Sequence, residues 1–183
     1  MAKAKIKGLD EAVDELFKDY KRAAKKAAKE ATEKTKNDLH VHSLSCLLDY
    51  YDEYTPTSYN RSYNLWQCFV PYSEVTEGKD TFECKAGIEY DATRLYDVYD
   101  GSNKYDAMDE SRAQWIIDNY LAGIHPRTDG SKEVGGGNYE EEKFQGQFVP
   151  GVAMQSFIDN YNDTFVKNFK HSLAKQVLKL TRK

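Results

Sequence analysis

The chain has 183 residues, 40% hydrophobic and 31% charged, with a formal net charge of −4. That length supports a core without disulfide or metal staples. No run approaches the ~20 apolar residues of a membrane span. Three cysteines, Cys46, Cys68 and Cys84, none in CxxC spacing, argue against a disulfide framework and for reduced thiols in a cytosolic product.

The N-terminus starts basic but has no apolar core segment, so it does not read as a secretory signal. Lys3 to Lys7 alternates lysines around Ile6 and suits a short edge strand that Gly8 breaks. From Leu9 the period changes. Ala12, Val13, Leu16, Phe17, Tyr20, Ala23, Ala24, Ala27, Ala28 and Ala31 follow i, i+3, i+4 steps, which predicts an amphipathic helix. Asp10, Glu11, Asp14 and Glu15 precede Lys25, Lys26 and Lys29, an order that suits the helix dipole. The stripe continues through Leu39, Ser43, Cys46, Leu47 and Tyr50 until Pro56 stops it. One helix over about 9–54, roughly 67 Å long at 1.5 Å per residue, and two helices meeting at a bend near His42-Ser43 are both compatible with this pattern.

Strands are expected over about 67–75 and 81–88, joined by the turn Glu77-Gly78-Lys79-Asp80, with Pro71 demoting the first to an edge or bulged strand. Tyr90 to Tyr99 is aromatic and fits neither period. A short helix over about 111–122 should end at Gly123, with Pro126 blocking its continuation. Residues 127–148 carry no period, and loops of such length are usually functional or disordered. Gly135, Gly136 and Gly137 read as a flexible hinge there, and Tyr139, Phe144 and Phe148 join them as candidate partner-contacting residues. A closing amphipathic helix is expected over about 152–180. Together these elements predict one α+β domain over 1–183, with long N- and C-terminal helices packed on a small, mostly antiparallel sheet.

Charge is unevenly laid out. Residues 1–36 carry eleven Lys/Arg against seven Asp/Glu, and residues 167–183 carry six basic and no acidic side chains. The stretch between them, 37–166, is strongly acidic at −14. Opposite-sign patches suit self-assembly; basic ends that are simply solvated explain the layout too. The fourteen tyrosines offer contact area with a wet tip, or else stand in for Leu and Phe in a thin core.

Chemistry-bearing patterns are sparse. His40 and His42 are i and i+2, on different sides of a helix, so they cannot share a metal there. Cys46 beside them has no nucleophile signature and reads as a small buried hydrophobe. The carboxylates of Asp49 to Glu53, Asp97 to Asp100 and Glu140 to Glu142 do not match a calcium loop. The three glycines lack the Lys-Ser/Thr of a phosphate loop. Lys21, Arg22, Lys25, Lys26 and Lys29, interspersed with acids, form a solvated or partner-facing surface, with phosphate contact as the alternative. No catalytic, cofactor or metal residues are expected. A pocket joining His125, a carboxylate and Cys84 would revive an enzyme reading.

Several landmarks resemble the neck, or tail-completion, proteins of long-tailed bacteriophages, also described as minor structural or head–tail joining components. Ile6-Lys7-Gly8-Leu9-Asp10 looks like that family's opening strand and helix start. Tyr54-Thr55-Pro56 followed by Tyr59, Arg61 and Leu65 is similar to the segment leading into its sheet, though Ser58-Tyr59 replaces the common Thr-Gly pair. Gly87-Ile88-Glu89-Tyr90, Trp115 to Pro126, and Phe157 to Leu180 resemble its strand end, its Gly-terminated helix and its closing helix. The resemblance implies a virion protein assembled in the host cytoplasm. It implies a homo-oligomeric ring bound to connector and tail proteins, with DNA passing through the lumen without sequence-specific binding. The acidic middle would then face that channel. The alternative is a cytosolic nucleic-acid or protein-binding module using the basic helical surfaces.

Overall fold

A computed structural model of the chain describes residues 9–53, 64–79, 81–98, 105–126, 143–145 and 147–181. The elements are α1 (Leu9–Asp52), a 3-10 turn (Leu65–Cys68), β1 (Phe69–Glu77), β2 (Phe82–Tyr90), a second 3-10 turn (Ala92–Arg94) and β3 (Tyr96–Val98). They continue with β4 (Tyr105–Ala107), α2 (Glu110–Leu121), β5 (Ile124–Pro126), β6 (Lys143–Gln145) and α3 (Pro150–Leu180). The fold is α+β, with a long helix at each end of the chain and strands paired two by two as β1-β2, β3-β4 and β5-β6. No helix among the described residues is long and apolar enough to cross a membrane.

The chain divides into two compact units. The first comprises Met1–Thr35, Ser73–Ala86 and Asn162–Lys183. Its centre is the alanine face of α1, where Ala23, Ala27, Ala28 and Ala31 are all buried. Side chains this small let neighbouring backbone come close while keeping high helix propensity. Thr32 and Thr35 are also buried, and each hydroxyl donates to the carbonyl one turn back, on Ala28 and Ala31. The hairpin runs alongside: Ser73 Oγ donates to Glu33, and Glu77 meets Lys25 at 2.6 Å and Lys21 at 3.1 Å. Its turn closes through Gly78 N–H to the Thr81 carbonyl at 2.9 Å. From α3, the buried Gln176 amide donates to Glu30 at 2.8 Å.

The second unit comprises Lys36–Tyr72 and Gly87–Tyr161. Its core gathers Leu47, Tyr50, Leu65, Cys68, Phe69, Ala92, Leu95, Ala113, Ile117 and Tyr120. Tyr120 meets Tyr50 edge-on at 5.2 Å and Phe69 at 5.5 Å, and Phe69 meets Tyr90 edge-on at 5.2 Å. Edge-to-face rings add to simple area burial. Tyr50 and Tyr120 thus belong to the core itself, with Tyr51 and Tyr90 packed against it. Asp109 caps α2, accepting from the N–H groups of Ser111 and Arg112. Gly123, at φ 68, ends α2 in the left-handed conformation that glycine adopts at least cost.

Of the two alternatives for the N-terminal stripe, α1 takes the single helix: it runs unbroken past His42-Ser43, where Ser43 Oγ donates to the His40 carbonyl at 2.8 Å and fills its own bonding need within the helix. One feature differs from the sequence expectation. Within the aperiodic 127–148 stretch, residues 143–145 form β6, antiparallel to β5 in the register Ile124↔Gln145, His125↔Phe144, Pro126↔Lys143. Three-residue strands are too short to show a period, and β3 and β4 escape a sequence reading for the same reason. The expected N-terminal strand at Lys3 to Lys7 lies outside the described residues.

Candidate functional site

The candidate reactive groups settle into packing roles. The His42 ring stacks on Phe157 with centroids 4.1 Å apart and planes 15° apart. Its Nε2 lies 3.6 Å from Cys46 Sγ. Burial, and then the charge of Asp49, push the Cys46 thiol up, so it stays protonated at neutral pH. A thiol nucleophile needs the opposite shift. Cys68 is pushed up to about 12, chiefly by burial, and donates to the Leu65 carbonyl. All three cysteines are free. No group of three or more His, Cys, Asp or Glu able to hold a metal occurs among the described residues. Cys84 lies on β2 and His125 on β5.

The carboxylates of Asp49 to Glu53 do not act as a cluster. Within Asp49 to Glu53, Tyr50 turns into the core, while the Glu53 carboxylate accepts the Phe148 N–H at 2.6 Å. Asp49 and Asp52 are exposed. Asp100 and Glu140 to Glu142 lie outside the described residues.

The basic run on α1 is partly consumed. Lys21 and Lys25 converge on Glu77, and Arg22 pairs with Asp19 at 3.2 Å. Hydrogen bonds from Lys25 and Lys21 hold the Glu77 carboxyl below the usual carboxylate range. A phosphate-binding face would start without these cations.

Of the candidate loop residues, Gly135, Gly136, Gly137 and Tyr139 lie outside the described residues. The backbone of Phe144 pairs opposite His125 in β6. Phe148 is half-buried and packs on the core of the second unit. It is an anchor of the fold, because its carbonyl approaches Gly123 so closely that a Cβ there would sit 2.4 Å from the oxygen.

The surface that sequence reasoning missed is on the first turns of α1. Val13, Leu16, Phe17 and Tyr20 are 41%, 55%, 70% and 42% exposed. At i, i+3, i+4 and i+7 they share one face of the helix. The sequence assigns them to the same stripe as Ala23 to Ala31, and they do continue it geometrically. The structure buries that stripe only from Ala23 onward; every residue from 11 to 18 is exposed. The four side chains form a contiguous exposed apolar stripe on one helix face. Asp14 and Asp19 flank it, Asp19 being paired with Arg22, while Glu11, Glu15 and Lys18 lie on the opposite side of the helix.

A basic surface lies on the last turns of α3. After Asp163 the chain has no carboxylate side chain, and Lys167, Lys170, Lys175 and Lys179 are all exposed. Val166 and Leu178 stand exposed among them.

Compared with models of known protein families, with curated proteins and with solved structures, the chain matches none.

Proposed function

We propose that this chain is a structural protein of a tailed bacteriophage, a ring-forming neck or tail-completion component that joins the head connector to the tail. The observation that carries the reading is the apolar face of α1 at Val13, Leu16, Phe17 and Tyr20, left exposed on a regular helix. A flat helical stripe offers a protein partner a surface to cover and gives a small molecule no enclosure. The sequence landmarks supply the context. Gly8-Leu9-Asp10 stands where α1 begins, and Gly123 ends α2 with positive φ, at the position of the Gly-terminated helix. The long terminal helices and the segregation of charge fit a subunit whose neighbours complete its burial.

The nucleic-acid alternative shares Lys21 and Lys25 with Glu77 on α1 and keeps the exposed lysines of α3. The test is the mass of the purified chain in solution with electron microscopy of any large species. Closed rings with a central channel are the expected result. A chain that stays monomeric with and without connector and tail proteins, and binds duplex DNA with an affinity falling steeply with salt, overturns it.

A further inference from the structure

We propose that the row Lys167, His171, Lys175 and Lys179 on α3 holds the phosphate backbone of duplex DNA without reading its sequence. This deepens the ring reading above and rests on it for the path the DNA takes. The four side chains stand at i, i+4, i+8 and i+12, so they follow one another along one face of the helix over about 18 Å. Lys170 stands beside the row, and all five side chains are exposed. No carboxylate interrupts them: Asp163, one turn before Lys167, is the last carboxylate side chain of the sequence. On α1, Lys21 and Lys25 are held by Glu77, whereas none of these four lysines forms an ion pair with another described residue.

Like charges four residues apart repel along a helix, and Lys175 and Lys179 are such a pair. Lys167 and Lys170 lie too far from the C-terminus of α3 for its dipole to favour them. An anion along the row relieves both. A DNA duplex carries one negative charge per about 1.7 Å of its axis, so a row of this length spans several phosphates. The exposed side chains from 166 to 181 include no Arg, Asn or Gln, the residues best suited to paired hydrogen bonds with base edges. They include no aromatic residue either, and aromatics and Arg are the usual anchors for a protein partner. Point charges on flexible stems suit phosphate contacts that position a duplex without specifying it. The phosphates then meet a basic surface rather than the acidic stretch 37–166.

The experiment titrates fluorescently labelled duplexes of two unrelated sequences with the full-length chain and follows anisotropy. Contacts from the four lysines should make the affinity fall about a hundredfold between about 50 and 200 mM salt, alike for both duplexes. Lys167→Gln/Lys170→Gln and Lys175→Gln/Lys179→Gln should each bind more weakly at the lower salt and fall only about tenfold over that range. Lys26→Gln/Lys29→Gln, which alters two exposed lysines of α1, should leave both values unchanged. Circular dichroism confirms that helix content is kept, and electron microscopy of the same samples reports rings. No binding by the parent chain at the lower salt overturns the inference, as does a strong preference for one duplex. A salt dependence that the α3 variants leave unchanged, or that the α1 variant lowers equally, overturns it too. Displacement of the duplex by polyglutamate as readily as by unlabelled DNA gives the row to an acidic protein partner instead. Rings without DNA binding overturn this contact and leave the ring reading standing. The expected binding on a chain that forms no ring, with or without connector and tail proteins, keeps the contact and overturns the ring.

Discussion

The Tyr50 hydroxyl donates a 2.7 Å hydrogen bond to the carbonyl of Ile124, tying the C-terminal part of α1 to the first residue of β5 across 74 positions of sequence. The same ring sits edge-on to Tyr120, so one side chain contributes both to the aromatic core and to the anchoring of a strand. Tyr50→Phe keeps the ring and removes the bond, and should cost about 1 kcal/mol. Urea unfolding of the two proteins, with an unchanged slope and a lower midpoint, is the expected outcome.

Gly123→Ala should be more damaging than its size suggests. The added Cβ would stand 2.4 Å from the Phe148 carbonyl oxygen, a backbone atom, at a φ of 68 that L-residues adopt at a cost. The expected loss is about 2 kcal/mol or more, because strain and clash act together. Thermal unfolding followed by circular dichroism reads it directly.

Tyr120→Phe should run the other way. Tyr120 is fully buried, and its hydroxyl finds no hydrogen-bond partner among the described residues. Desolvation pushes that phenol far up, so it remains neutral. Removing an unsatisfied buried hydroxyl while keeping the ring should leave stability unchanged or raise it by up to about 1 kcal/mol. A clear fall in the unfolding midpoint would show that the hydroxyl has a partner after all.

The Glu77 carboxylate should make the hairpin contact sensitive to acid. Its folded-state pKa is lowered by Lys25 and Lys21, so its contribution is present above the unfolded pKa and fades as pH falls through the lower, folded value. The pair is exposed and screened by salt, so the effect is small. Glu77→Gln should show a slightly lower Tm than the parent at pH 7 in low salt. The gap should close below the ordinary carboxylate range, and at high salt, when melting is followed across a pH series.

Sequence periodicity located the long elements because each carries many turns of one pattern. α1 at Leu9–Asp52 and α3 at Pro150–Leu180 lie close to their expected ranges, and Gly123 marks the end of α2 as its position before Pro126 suggests. The three-residue strands β3 to β6 are too short to carry a pattern of their own and are held by pairing with one another. Phe148 was legible as an aromatic in an aperiodic stretch but not as a core residue, since its burial depends on the Glu53 carboxylate and on the close approach to Gly123. The exposed patch was hidden for the converse reason. Val13, Leu16, Phe17 and Tyr20 obey the same period as Ala23 to Ala31, and periodicity reports which side of a helix is apolar without saying whether the same molecule covers it.

The pairing of β5 with β6 fixes Pro126 opposite Lys143, which sets the two ends of segment 127–142 side by side. With its ends already held, doubling its length should cost only about 0.6 kcal/mol in closure entropy. A peptide tag or epitope grafted between Pro126 and Lys143 should therefore leave the unfolding midpoint nearly unchanged, giving a place to label the protein.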